Sequence, residues 1–317
     1  YTIFKKLIKK GGFSMKDTVR YKNITCKSAL NKVSGGFPYK WDLNIYRGCI
    51  HNCKYCYALY SHKYINSNSD DFFNEIYVKT NIVEELDRQL SSKSWKHEVI
   101  NIGGVTDSYQ AVEKNNKIMP EILKLLIKHK NPAIISTKST LILRDIDLID
   151  ELSRLTYINI ASTITVTDRK TAAMIETNAS PPMERFRILK AMRKTNASVG
   201  MHSMPIIPYI TDSIENIESL FSHAKESDVH YVLPGILYLR GETRKSFFNF
   251  VLRNYPQLYK NIYMLYNNTE KRKEYKYSLY QNINFLKEKY SISFSYTNPM
   301  REKMKKERKY DPQLKLF

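Results

Sequence analysis

Four cysteines occur in 317 residues, and three of them, Cys49, Cys53 and Cys56, fall within eight positions. The segment reads Gly48-Cys49-Ile50-His51-Asn52-Cys53-Lys54-Tyr55-Cys56-Tyr57, a C-x3-C-x2-C spacing. Random placement of four cysteines would produce it in roughly 0.0006 chains of this length. Clustered thiols with no visible secretion signal point to metal binding or catalysis, not to a disulfide framework. Soft thiolates hold iron–sulfur clusters. A cubane has four irons, so three cysteines leave one iron open to chelate the amino and carboxylate groups of S-adenosylmethionine (SAM). Two other readings stay open on spacing alone: structural zinc with His51 as a fourth ligand, and an electron-transfer cluster completed by Cys26.

The elements that must position these thiols alternate along the chain. Apolar runs at Leu43–Tyr46, Glu98–Ile102, Ala133–Ser136, Tyr157–Ile164, Ser198–Met204 and His230–Leu237 suit strands buried on both faces. A further run, Ile76–Val78, suits an extra edge segment. Between them lie helical patterns at Asn81–Leu90, Ile118–His129, Asp145–Arg154, Pro182–Lys194 and Asp212–Lys225, with Asp212 as an N-cap. Strand–helix repetition with right-handed crossovers gives a parallel sheet with helices outside. Six units predict an α/β fold, an open partial (β/α)6 barrel. Domain organisation reads as an N-terminal extension over 1–40, the barrel over 41–240, and a basic, mostly helical C-terminal region over 241–317. His202 and Ser203 sit side by side in the fifth strand, so alternation sends one of them inward.

The cysteine motif, placed directly after the first strand, resembles that of the radical SAM superfamily, and within it the spore photoproduct lyase-like (DNA repair photolyase-type) group. The phrases that carry the resemblance are Asn44-Ile45-Tyr46-Arg47-Gly48-Cys49, Cys56-Tyr57-Ala58, Gly104-Val105-Thr106-Asp107-Ser108-Tyr109-Gln110, Thr137-Lys138-Ser139, Leu143-Arg144-Asp145-Ile146-Asp147, Pro205-Ile206-Ile207-Pro208 and the terminal Leu316-Phe317. The resemblance implies a [4Fe–4S] cluster on the three cysteines, reduced by flavodoxin or ferredoxin, and SAM lying across the carboxyl ends of the strands. It implies Tyr55 at the adenine and Tyr57 near SAM as a hydrogen-atom relay. Gly104, Thr106 and Asp107 would receive the SAM ammonium, Lys138 the carboxylate, and Ser162 the ribose or the methionine moiety. Cleavage of SAM would yield a 5′-deoxyadenosyl radical that takes hydrogen from a substrate, in the literal family case a thymine lesion in DNA. The chain departs from that family where a lyase cysteine belongs, at the end of the second strand. Gly104–Asp107 has none, and Cys26 is the one spare thiol and a second catalytic candidate. A peptide- or protein-modifying enzyme gripping an acidic peptide is the alternative, and a non-catalytic iron–sulfur protein that binds nucleic acid is a third reading.

Net charge is +20, and Arg240–Phe317 alone holds 18 Lys/Arg against 7 Asp/Glu, a net of +11. Such an excess favours polyanionic partners, DNA or an acidic peptide. No apolar run reaches 18 residues, which excludes a membrane-spanning helix and makes a cytoplasmic protein the expectation. Gly11-Gly12 ahead of Met15 suggests a translated ribosome-binding sequence, with residues 1–14 as leader and Met15 as the start. The tail from Asp311 to Phe317 ends in apolar residues suited to docking on the barrel.

Overall fold

The computed structural model describes residues 19–65, 68–300 and 302. The expected leader and docking tail lie outside them. Ten strands form in chain order: β1 (Arg20–Ile24), β2 (Leu30–Lys32), β3 (Trp41–Leu43), β4 (Tyr46–Arg47), β5 (Glu75–Lys79), β6 (Ile100–Ile102), β7 (Ala133–Thr137), β8 (Ile158–Thr163), β9 (Ser198–Ile206) and β10 (Tyr231–Ile236). The main sheet runs β10-β9-β8-β7-β6-β3-β2. Its six strands from β3 to β10 pair in parallel and in chain order, and β2 adds antiparallel to β3. This is the open partial (β/α)6 barrel expected from the strand–helix repetition.

Parallel strands need covered faces, and one face here is aliphatic. Leu43, Ile100, Ile102, Ile135, Ile158, Ile160, Val199, Met201 and Val232 are buried in the main core. Helices Ile82–Leu90, Ile118–Lys128, Ile146–Leu155, Pro182–Met192 and Ile214–Glu226 supply its other half. The opposite, concave face is polar. One register row reads Asp42, Asn101, Ile134, Asn159, Ser198 across five strands. Next along the strands come Ser136, Ala161, Gly200 and Tyr231, three of them small. Ile134 of this row, with Val99 and Tyr157 below it, closes the amino end of the barrel against Tyr39, Tyr296 and Met300. Ser293 bridges to Tyr231 and carries the chain there.

Several local expectations are corrected. The first strand stops at Leu43, because Asn44 turns its side chain to accept from Val105 N–H at 2.9 Å. Tyr46–Arg47 then joins a separate three-stranded sheet, β1-β5-β4. Ile76–Val78 is its central strand, not an edge, and the polar lead-in contributes β1 and β2. The cap of helix Ile214–Glu226 is Ser213, whose hydroxyl accepts from Asn216 N–H, while Asp212 accepts from Tyr275. Asn81 stands at the N-cap of helix Ile82–Leu90 but makes no side-chain cap bond; its amide binds the backbone N–H and C=O of Cys26. A short helix, Arg169–Ile175, has no counterpart in the sequence reading. After β10 come the helices Gly241–Asn254, Pro256–Asn267 and Thr269–Tyr290. No helix among the described residues is long and apolar enough to cross a membrane.

Candidate functional site

The cysteine loop leaves β4 and is held by backbone geometry first. Gly48 has φ 78°, and a Cβ there would lie 2.5 Å from Glu75 O. The loop is tied on two sides by side chains. From the end of β6, Thr106 Oγ1 donates to Gly48 O at 2.6 Å, and Gln110 Nε2 donates to the same oxygen at 3.2 Å. Gln110 Oε1 accepts from Ile50 N–H at 3.1 Å. From the segment after helix Arg169–Ile175, Asn178 donates to Ile50 O, and Lys54 N–H donates to Ile175 O at 2.8 Å. Cys53 forms an isolated bridge with Glu176. All three thiols are free of disulfides, and Cys49 and Cys53 are buried.

Asp107 is the hub between this loop and the barrel. Its Oδ1 accepts from Tyr109 N–H at 2.9 Å and from Thr137 Oγ1 at 2.8 Å. Its Oδ2 accepts from Lys138 N–H at 2.8 Å and lies 3.3 Å from His51 Nδ1. Burial opposes ionisation of Asp107, but His51 and the bonds from Lys138 and Thr137 hold its carboxyl well below the usual carboxylate range. Burial likewise opposes the His51 cation, yet Asp107 and Cys49 lift its pKa to about 10. His51 in turn overcomes burial at Cys49 and lowers that thiol, whereas burial pushes Cys53 and Cys56 up. Cys49 is thus the thiol of the three that gives up its proton most readily, and all three would be deprotonated on binding metal.

A second buried network backs Cys53. Arg185 Nη1 lies 2.5 Å from Glu176 Oε2, and the Tyr55 hydroxyl donates to Glu176 Oε1. Arg185 also donates to Ser180 O at 2.6 Å and Thr163 O at 2.8 Å, so its buried charge is both paired and hydrogen-bonded. Tyr55 packs with Leu237, Phe247 and Leu265, which brings the C-terminal helices onto the cysteine loop. Thr243 Oγ1 donates to Cys56 O at 2.9 Å. Lys138 differs from Arg185. Its Nζ lies 5.8 Å from the Tyr55 ring centre, with no carboxylate at ion-pair distance among the described residues. Burial disfavours its charge, but Cys53 and Glu176 outweigh that and raise its pKa.

At the mouth of the concave face, Tyr57 is 60% exposed and its hydroxyl donates to Gly104 O. A Cβ on Gly104 would lie 2.4 Å from Asp42 Oδ2. His202 contacts the Tyr231 hydroxyl at 3.3 Å, and burial with the Lys138 charge lowers its pKa to about 4. Ser203 turns the other way and is fully buried.

Of the predicted residues, the structure gathers Cys49, Cys53, Cys56, Tyr55, Tyr57, Gly104, Thr106, Asp107 and Lys138 around one loop. Three have their polar groups committed to protein partners: Thr106 to Gly48, Asp107 to four donors, and Ser162 to Thr137 O at 2.9 Å. The Tyr55 hydroxyl is likewise turned to Glu176. Cys26 is not brought here; Lys79 and Glu85 are the charges that act on it, and burial raises its thiol pKa. Sequence reasoning missed Gln110, Asn178, Glu176 and Arg185. Gln110 stood inside a quoted phrase without a role, and the other three lie in a stretch with no chemical motif. Arg144, in another quoted phrase, is structural, forking between Glu113 and Asp145.

Residues 43–221 match the Radical SAM superfamily model. The chain belongs to the radical SAM superfamily. This family uses a [4Fe–4S] cluster and SAM. Among curated relatives, an uncharacterized protein of Mycobacterium tuberculosis, Rv2578c, is 33% identical over 253 residues, 79% of this chain and 74% of the relative. A Methanocaldococcus jannaschii protein, MJ0683, is 27% identical over 78% of this chain and 88% of its own length. In fold, the chain is similar to a mutant spore photoproduct lyase with bound AdoMet and dinucleoside spore photoproduct. The TM-score is 0.56 at 12% identity, over 74% of this chain and 66% of that one, just under two thirds of its length. The donor set fits the cluster: three thiols on one loop, without a fourth cysteine beside them. Among the described residues no three His, Cys, Asp or Glu side chains converge at single-ion distance, as a zinc site with His51 would require.

Proposed function

We propose that this radical SAM enzyme cleaves SAM reductively at a [4Fe–4S] cluster on Cys49, Cys53 and Cys56 and takes a hydrogen atom from a substrate held against the concave face. The carrying observation is the half-buried Lys138 side chain at the mouth of the barrel, without a carboxylate at ion-pair distance among the described residues, its charge favoured by Cys53 and Glu176. When bound, the cluster supplies an electron to the SAM sulfonium, yielding methionine and the 5′-deoxyadenosyl radical. The protein's own work is placement. Lys138 pairs with the SAM carboxylate. Gly104 lets the methionine end approach the backbone closely. Asp107, Thr106, Gln110 and Ser162 hold the loop and strand ends in register as positioning residues. Tyr57 borders the reacting centre. A flavodoxin or ferredoxin delivers the electron, and a reducing compartment such as the cytoplasm suits clustered thiols.

The likeness to spore photoproduct lyase supports a lyase-like DNA-repair reading, but Gly104–Asp107 supplies no thiol and Cys26 lies apart. That favours the second reading, hydrogen abstraction from a peptide or protein. Anaerobically reconstituted protein with dithionite and SAM should release 5′-deoxyadenosine, and a Cys53→Ala variant should not. A cubane whose spectrum ignores added SAM would overturn the assignment.

A further inference from the structure

Asp42 is a carboxylate that the reading above does not use. It lies on β3, in the polar row of the concave face, directly across from Asn101. Asn101 Nδ2 donates to its Oδ1 at 2.8 Å. Its Oδ2 takes none of the described hydrogen bonds and faces Gly104, whose carbonyl receives the Tyr57 hydroxyl. The group is half-buried, and no Lys, Arg or His stands at ion-pair distance among the described residues. Removing a carboxylate from water without a cation is unfavourable, and burial accordingly raises the Asp42 pKa against the bond from Asn101. The bond to Asn101 does not explain the charge, because an amide at position 42 would serve it as well.

The same row offers a second acceptor without a donor. Asn159 is fully buried; its Nδ2 donates to Tyr231 at 3.0 Å, while its Oδ1 has no partner. Next to the row Ser136 and Ala161 present small side chains, while the Tyr231 ring packs against Gly200. Unfilled acceptors that include a carboxylate call for a ligand bearing N–H donors. A phosphate placed there would meet like charge at short range.

We propose that Asp42 recognises a cationic nitrogen, an ammonium or guanidinium group on the substrate, and so selects a nitrogen-bearing substrate over a phosphodiester. This deepens the second reading above and rests on the barrel's concave face being the substrate site. Asp42 is a binding residue here, set beside the SAM-facing Gly103–Gly104 segment so that the carbon next to the bound nitrogen comes near Tyr57.

The test is equilibrium dialysis of labelled agmatine, which carries both cationic groups, against the full chain reconstituted anaerobically. The cluster is kept oxidised and SAM is present, so nothing is cleaved. Saturable binding is expected, weakened at least about tenfold in Asp42→Asn and not competed by butyl phosphate. Equal binding by Asp42→Asn, no saturable binding, or competition by butyl phosphate would overturn the proposal. Circular dichroism of Asp42→Asn checks its fold; if that variant fails to fold, Asn101→Ala, which leaves the carboxylate in place, is expected to keep the preference for agmatine over butyl phosphate. Perturbation of the cluster spectrum by SAM in the same samples reports separately on the cofactor site. Dialysis with the cluster-free chain reads Asp42 alone.

Discussion

The two sides of the barrel mouth are built on opposite rules. Around the cysteine loop, Asp107, Thr106, Gln110, Asn178 and Arg185 each hold printed-circuit-like fixed bonds of 2.5 to 3.3 Å to loop, strand or neighbouring carboxylate. On the concave face, Asp42 and Asn159 each keep an oxygen without a described donor. Saturated networks fix geometry, and unsaturated ones cost free energy until a ligand completes them. The contrast separates a rigid end for a cofactor from a receptive end for a substrate.

The largest way to break this contrast is on the saturated side. Arg185→Met would leave Glu176 buried with the Tyr55 hydroxyl as its remaining direct partner. Breaking a buried pair in this way costs about 3–5 kcal/mol. Chemical denaturation of the cluster-free chain should show that loss, and iron uptake should fall because Cys53 pairs in backbone with Glu176. A loss below about 1 kcal/mol would mean that the network does not brace the loop.

Lys138→Met should separate the two roles that cations play beside the loop. Lys138 has no direct carboxylate among the described residues, so its removal orphans no bonded partner, although Cys53 and Glu176 favour its charge. The cluster-free chain should therefore lose much less stability than in Arg185→Met, while SAM affinity, read from perturbation of the cluster spectrum, should fall by about tenfold or more. Destabilisation as large as that of Arg185→Met would make Lys138 a structural cation.

How much of this was legible beforehand follows from the kind of signal each residue leaves. The three cysteines and the strand–helix alternation stand out because spacing and hydrophobic period are local. Lys138 was visible because it follows an apolar strand. Glu176 and Arg185 were not, since their pairing joins residues to Tyr55 and Cys53 across about 120 to 130 positions. Ser162 and Thr106 had the right residue types at the right strand ends, but their hydroxyls are spent on backbone carbonyls, which sequence cannot show. The first strand was read too long because Ile45 and Tyr46 continue the apolar run, while Asn44 redirects the backbone.

Acid titration sharpens the contrast from the receptive side. Burial and the Lys138 charge hold the His202 pKa at about 4, below the ordinary histidine value of 6.5. The unfolded chain then binds a proton between those values that the folded chain refuses. Stability contributed by neutral His202 is therefore present above about pH 6.5 and lost as pH falls toward 4. Comparing denaturation of native protein and His202→Gln across that window should show a flatter pH slope in the variant. Identical slopes would place His202 in contact with solvent.

The smallest expected effect is the most discriminating for the saturated side. Ser162 Oγ donates to Thr137 O at 2.9 Å and is fully buried, one strand away from Lys138. If that bond is its whole role, Ser162→Ala removes one neutral hydrogen bond and leaves one carbonyl short of a partner, worth about 1 kcal/mol. SAM binding should be unchanged, because the hydroxyl has no proton left to offer. A variant that keeps its stability but loses SAM affinity would mean that the hydroxyl turns to the cosubstrate, and that this strand end belongs with the receptive half of the barrel.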